Sequence, residues 1–267
     1  MNRVTSEDGT SIAYERMGSG PAVILVGGGL DDGAENAPLA PELAKRFTAY
    51  NYARRGRGAS GDTLPYAVER EIEDIEALMA GAGGSAHLYG VSSGGALALE
   101  AAATGIAVDK LAVYEVPYNL ADDGPYWHRG DGEKAEALLA EGRRGEVVEL
   151  FMRTVGALEE DIAGARTSPF WPGLEALAHT LAYDAACVGD GHPPTARLAT
   201  ITRPTLVATG GKSPDPHGGE LPPDFFDQAA DAIAASIPQV ERLTIEGQGH
   251  VADPKAVAAV LGRFFGT

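Results

Sequence analysis

Cysteine is nearly absent from this chain. Cys187 stands alone, so no disulfide can close within it. Basic residues are scarce too: 21 Lys and Arg face 38 Asp and Glu, a formal net charge of −17. A surface of that sign repels phosphate-rich partners, which argues against nucleic acid and against anionic membranes. No run approaches the roughly 18 apolar residues of a membrane span. The opening stretch MNRVTSEDGTSIAYE is polar and alternating, without the apolar core of a secretory leader. The cytoplasm is the expected location. No group of His, Cys, Asp or Glu has ligand spacing, and no dinucleotide fingerprint follows the first apolar run, so neither metal nor cofactor is expected.

What is abundant is small and apolar. Hydrophobic residues make up 44% of 267, enough for one large core. Short Val-, Ile- and Leu-rich runs at 22–26, 87–91, 110–115 and 205–209 read as buried parallel strands. Between them lie stretches with helical spacing. Across 68–79, Val68, Ile72, Ile75 and Leu78 fall on one face with acids opposite. Segments 96–103, 229–237 and 254–265 also read as helices. Strand alternating with helix predicts an α/β fold, a mostly parallel central sheet with helices on both faces. The N-terminus departs from this, because segments 1–6 and 11–16 flank Asp8-Gly9, a hairpin signal. From 117 to 202 no strand is convincing. Helical stretches at 133–143, 145–155 and 174–184 and both tryptophans lie there, which predicts a helical cap inserted into a core of residues 1–116 and 203–267.

Gly90-Val91-Ser92-Ser93-Gly94 has the G-x-S-x-G pattern. Its setting carries more weight than the pattern, since an apolar strand precedes it and an Ala-rich helix follows. Such an elbow lifts the Ser92 hydroxyl clear of the strand tips, at a helix N-terminus that favours developing negative charge. Of six histidines, only His250 follows the last predicted strand, on the loop Gly247-Gln248-Gly249. Ser before His is the chain order this chemistry uses, with His250 as base. Two carboxylates compete for the acid. Glu115 ends an apolar strand, where a charge is costly without a partner; Asp215 follows the strand 205–209. Gly27-Gly28-Gly29 comes after the strand 22–26, and backbone N–H groups of such a loop can approach an oxyanion closely. Gly29 is the first choice of donor and Gly28 the second, together with the N–H of Ser93. The arginines of Arg54-Arg55-Gly56-Arg57 are expected to pair with carboxylates of this acidic chain. Gly28, Trp127 and Trp171 are the candidate pocket residues, with Phe151, Met152 and Phe170 as further apolar area.

Taken together, Gly18-Ser19-Gly20-Pro21, the glycines at 27–29, Arg55-Gly56-Arg57-Gly58-Ala59-Ser60, the elbow and Gly247-Gln248-Gly249-His250 resemble the α/β-hydrolase superfamily. The likeness spans the core and not the cap. It departs in three ways: Gly27 stands where the family usually has histidine, Ser213 where it usually has the acid, and Glu115 is similar to the acid position of some haloalkane dehalogenases. Those enzymes use an aspartate nucleophile, so Ser92 implies serine chemistry instead. The expected activity is hydrolysis of a small carboxylic ester or lactone through an acyl-enzyme on Ser92. C–C bond hydrolysis and cofactor-free perhydrolysis could use the same residues, and a non-catalytic small-molecule binder could keep the fold. A small or medium neutral carbonyl compound is the expected partner.

Overall fold

The computed structural model describes residues 1–121, 127–211 and 221–266. The chain opens with β1 (Asn2–Thr5), β2 (Ser11–Gly18), β3 (Ala22–Val26), α1 (Leu39–Leu43) and β4 (Thr48–Tyr52). There follow α2 (Val68–Ala82), β5 (Ala86–Val91), α3 (Ser93–Ala103) and β6 (Val108–Tyr114). Next come α4 (Arg129–Ala140), α5 (Arg144–Thr154), α6 (Glu159–Arg166), α7 (Trp171–Leu177), α8 (Thr180–Val188) and α9 (Thr195–Leu198). The chain ends with β7 (Thr205–Gly210), α10 (Phe225–Ser236), β8 (Val240–Ile245) and α11 (Pro254–Phe265).

The strands form one eight-stranded sheet in the order β1-β2-β4-β3-β5-β6-β7-β8. Both β1 and β4 pair with β2 antiparallel, and every other neighbouring pair is parallel. Strands flanked by helices on both faces must be apolar on both, and all six residues of β5 are buried. One face packs its apolar residues with α2, α3 and α10, the other with α1 and α11. Helix α3 is apolar on every face but that of Glu100, with Ala96, Leu97, Ala98 and Leu99 fully enclosed. Such a helix is stable only when covered on every side: β5 and β6 cover it from within, α8 from without. No described helix is long and apolar enough to cross a membrane.

Helices α4 to α9 lie between β6 and β7, and the described residues there contain no strand. They have a core of their own, built on Trp127, Ala135, Val147, Val148 and Leu181. The stretch 174–184, expected as one helix, is broken between α7 and α8. Arg144 explains the break. Its guanidinium takes the carbonyls of Glu175 (2.6 Å) and Ala176 (2.7 Å), which a continuing helix would have used.

Candidate active site

Four successive parallel strands, β5 to β8, deliver the candidate residues at their carboxyl ends. Ser92 follows β5 with φ 55° and ψ −130°. A non-glycine residue in that region is strained, and the surroundings must hold it there. They do so by close packing. A side-chain carbon at Gly90 would lie 2.4 Å from the Gly94 carbonyl, and one at Gly94 would lie 2.3 Å from that of Gly27. The Ser92 N–H donates to the Tyr114 carbonyl at 3.0 Å, while its own carbonyl starts α3 by accepting from Gly95 and Ala96.

Glu115 follows β6 and is only 5% exposed. Its φ of 46° takes it out of the strand line, one residue earlier than the apolar run suggests. Both carboxylate oxygens are engaged. Oε1 accepts the Gly210 N–H at the end of β7 (2.8 Å), and Oε2 lies 2.7 Å from His250 Nδ1. The alternative acid, Asp215, lies outside the described residues, as does Ser213.

His250 sits on the loop between β8 and α11. Asp253 caps α11 by accepting from the N–H groups of Lys255 and Ala256. Its own N–H donates to Gln248 Oε1 at 2.7 Å. Tyr114 adds a donor from β6, its hydroxyl bonding the Gly249 carbonyl at 2.6 Å. The His250 ring stacks on Phe226, centroids 4.9 Å apart.

The glycine loop after β3 adjoins Ser92: a carbon added to Gly28 would meet Ser92 Cβ at 3.0 Å. Its two candidate donors differ. The Gly28 N–H is already bonded to Glu35 Oε2 at 2.6 Å. Among the described residues, neither the Gly29 N–H nor the Ser93 N–H donates to a protein acceptor. Gly27, where a histidine would be usual, is required by a carboxylate. A side-chain carbon there would lie 1.9 Å from Asp31 Oδ2. Burial pushes the Asp31 carboxyl up. It does the same for Glu35, whose carboxylate end is enclosed although the residue as a whole is exposed.

Beneath the loop runs a buried ion network. Arg57 donates to the Gly28 carbonyl (2.7 Å) and to Asp184 Oδ1 (2.8 Å). Arg54 bridges Asp184 and Glu71, and Arg55 bridges Asp74 and Asp8. The arginines therefore pair as the acidic composition suggests. Asp184 also accepts from Ser93 Oγ at 2.8 Å, next to Ser92 in the chain. Burial alone would push its carboxyl up, but Arg57 and Arg54 hold it below the usual carboxylate range.

Of the candidate pocket residues, Gly28 borders Ser92. Trp127 is 1% exposed, donates to the Leu181 carbonyl and packs edge-on against Phe151, which describes core. Trp171 lines a surface groove of about 450 Å³ with Arg143, Arg166 and Glu175, none of them near the elbow in sequence. Phe151 stands over the loop instead, 3.3 Å from where a Gly29 side chain would begin. Sequence reasoning missed Asp184, although a lone carboxylate in the apolar stretch TLAYDAACV was a signal that it must be paired. Glu35 carried no such signal.

A family model described as "Alpha/beta hydrolase family" matches residues 22–260. The chain belongs to the alpha/beta hydrolase family. This hydrolase is 49% identical to an alpha/beta hydrolase from Sphaerobacter thermophilus of known structure, with a TM-score of 0.88 over 99% of this chain and 100% of that one. A hydrolase from Pseudomonas aeruginosa shares the fold at 24% identity and a TM-score of 0.75, over 100% and 98%. The hydrolase is also 31% identical to a pimeloyl-[acyl-carrier protein] methyl ester esterase of Xanthomonas campestris, over 93% of this chain and 96% of the relative.

Proposed function

We propose that this hydrolase cleaves a small carboxylic ester or lactone through an acyl-enzyme on Ser92, with His250 as base and Glu115 as acid. The single observation that carries the reading is the Glu115 carboxylate, 2.7 Å from His250 Nδ1 and pinned on its other oxygen by the Gly210 N–H. A carboxylate held there accepts the Nδ1 proton, leaving Nε2 unprotonated to act as base. The strained Ser92 backbone, the uncommitted N–H groups of Gly29 and Ser93 and the esterase relative support it.

In the first half-reaction Ser92 Oγ bonds to the substrate carbonyl carbon while its proton passes to His250 Nε2. The carbonyl oxygen takes up negative charge, facing the Gly29 and Ser93 N–H groups, and Glu115 stabilises the imidazolium. The bond to the leaving oxygen breaks as His250 returns the proton to it. A water then loses a proton to His250 and attacks the acyl carbon, Ser92 leaves with that proton, and the carboxylic acid departs. Helices α4 to α9 serve as the cap.

Fluorophosphonate labelling of wild type, Ser92→Ala and His250→Ala, with hydrolysis of short p-nitrophenyl esters, tests the reading. Wild type alone is expected to label at Ser92, with turnover down at least about a thousandfold in both variants. A wild type that neither labels nor turns over would put a non-catalytic binder in its place.

A further inference from the structure

The catalytic reading leaves one carboxylate beside the nucleophile without a task. Glu35 Oε2 accepts the Gly28 N–H at 2.6 Å. A methyl-sized group at Gly28 would touch Ser92 Cβ at 3.0 Å on one side and Glu35 Oε2 at 3.4 Å on the other. The turn before it is built to present this side chain, since Asp31 Oδ1 accepts the N–H groups of both Gly33 (3.0 Å) and Glu35 (2.8 Å). Glu35 Oε1 meets no protein donor among the described residues. Arg57, whose charge reaches Glu35, spends its guanidinium on Asp184 and on the Gly28 carbonyl. Asp31 adds a charge of the same sign, Arg57 and a protonated His250 oppose it, and no described cation is hydrogen-bonded to the Glu35 carboxylate itself.

We infer that Glu35 is a specificity-determining residue that sorts substrates by charge. It favours carbonyl compounds bearing an ammonium or other hydrogen-bond-donating group on the side of the 27–35 loop and turns away those bearing an anion there. The inference rests on Ser92 as the reacting residue. Opposite charges a few ångströms apart at a half-solvated site change affinity by about tenfold or more, which is the size of effect expected here. A carboxylate serving only as a strut for Gly28 would act on all substrates alike.

Three butyrate esters separate these roles: the choline ester (cationic), the 3,3-dimethylbutyl ester (its neutral isostere) and the 2-sulfoethyl ester (anionic). Glu35→Gln keeps an acceptor for the Gly28 N–H and removes only the charge. Relative to wild type it is expected to lower the cationic-to-neutral ratio of kcat/KM about tenfold and raise the anionic-to-neutral ratio by a similar factor. Ratios unchanged within about twofold in Glu35→Gln would overturn the inference and leave the serine hydrolase standing. Calorimetric binding of the choline and 2-sulfoethyl esters to Ser92→Ala, with and without Glu35→Gln, reads the charge preference without turnover. A Glu35-dependent preference there supports charge selection even if wild type hydrolyses none of the esters, and equal binding of the two esters overturns it.

Discussion

At the scale of single residues the site depends on backbone conformations that side chains rarely adopt. Ser92 and Glu115, at the ends of neighbouring strands, both have positive φ, as does Leu30 beside the glycine loop. Such strain persists only where the surroundings over-determine it. At Glu115 they do so through two carboxylate oxygens aimed in different directions, one at an N–H donor and one at an imidazole. Glu115→Gln tests the division of labour. Its amide oxygen still accepts the Gly210 N–H, but its NH2 then faces His250 Nδ1 and favours the wrong tautomer. Steady-state kinetics should show kcat lowered by about a thousandfold or more with little change in KM, while thermal unfolding moves little. A carboxylate ending an apolar run pointed to Glu115 from sequence. Its left-handed turn did not show there, since nothing local to Tyr114-Glu115-Val116 demands it.

At the scale of elements the decisive contribution comes from α8. This helix covers α3 and brings Asp184 down onto Ser93 Oγ, Arg54 and Arg57, so the inserted helices are tied through Arg57 to the glycine loop that borders Ser92. Asp184→Asn keeps the volume but strips the charge that balances two buried guanidinium groups. Breaking a buried pair from one side costs about 3 kcal/mol or more, because an uncompensated charge stays behind. Denaturant unfolding should register that loss. The kcat/KM of the folded variant, measured well below its melting point, should fall about tenfold as Ser93 and the Gly28 carbonyl lose their common anchor. Helix α7, by contrast, ends where Arg144 claims its last carbonyls, a long-range event that no 3.6-residue pattern within 174–184 reveals.

At the scale of the whole molecule, the net charge of −17 sets the field that a charged substrate meets on approach. Exposed charges interact over about 8 to 10 Å at moderate ionic strength, and salt screens them. Raising sodium chloride from about 10 to 300 mM, a range over which the screening length falls several-fold, should lower kcat/KM for the choline ester. It should raise kcat/KM for the 2-sulfoethyl ester and leave the neutral isostere nearly unchanged. The same excess of acids supplies partners for the buried arginines, so the composition contributes to the interior as well as to the surface.

Two kinds of information meet in this hydrolase. The alternation of strand and helix, the opening hairpin, the elbow around Ser92 and the placing of His250 before the last helix were all written in short stretches. Periodicity and glycine placement act over a few residues, so local reading suffices for them. Which side chains meet was decided elsewhere. His250 and Glu115 are 135 residues apart in the chain, and Ser93 and Asp184 are 91 apart. The meeting of Glu115 with His250, the capture of the Gly28 N–H by Glu35 and the burial of Trp127 away from solvent all depend on strand order and on how the inserted helices pack. Only the tertiary structure sets those contacts, because a hydrogen bond is made or lost over less than an ångström and no local pattern in the chain carries positions that finely.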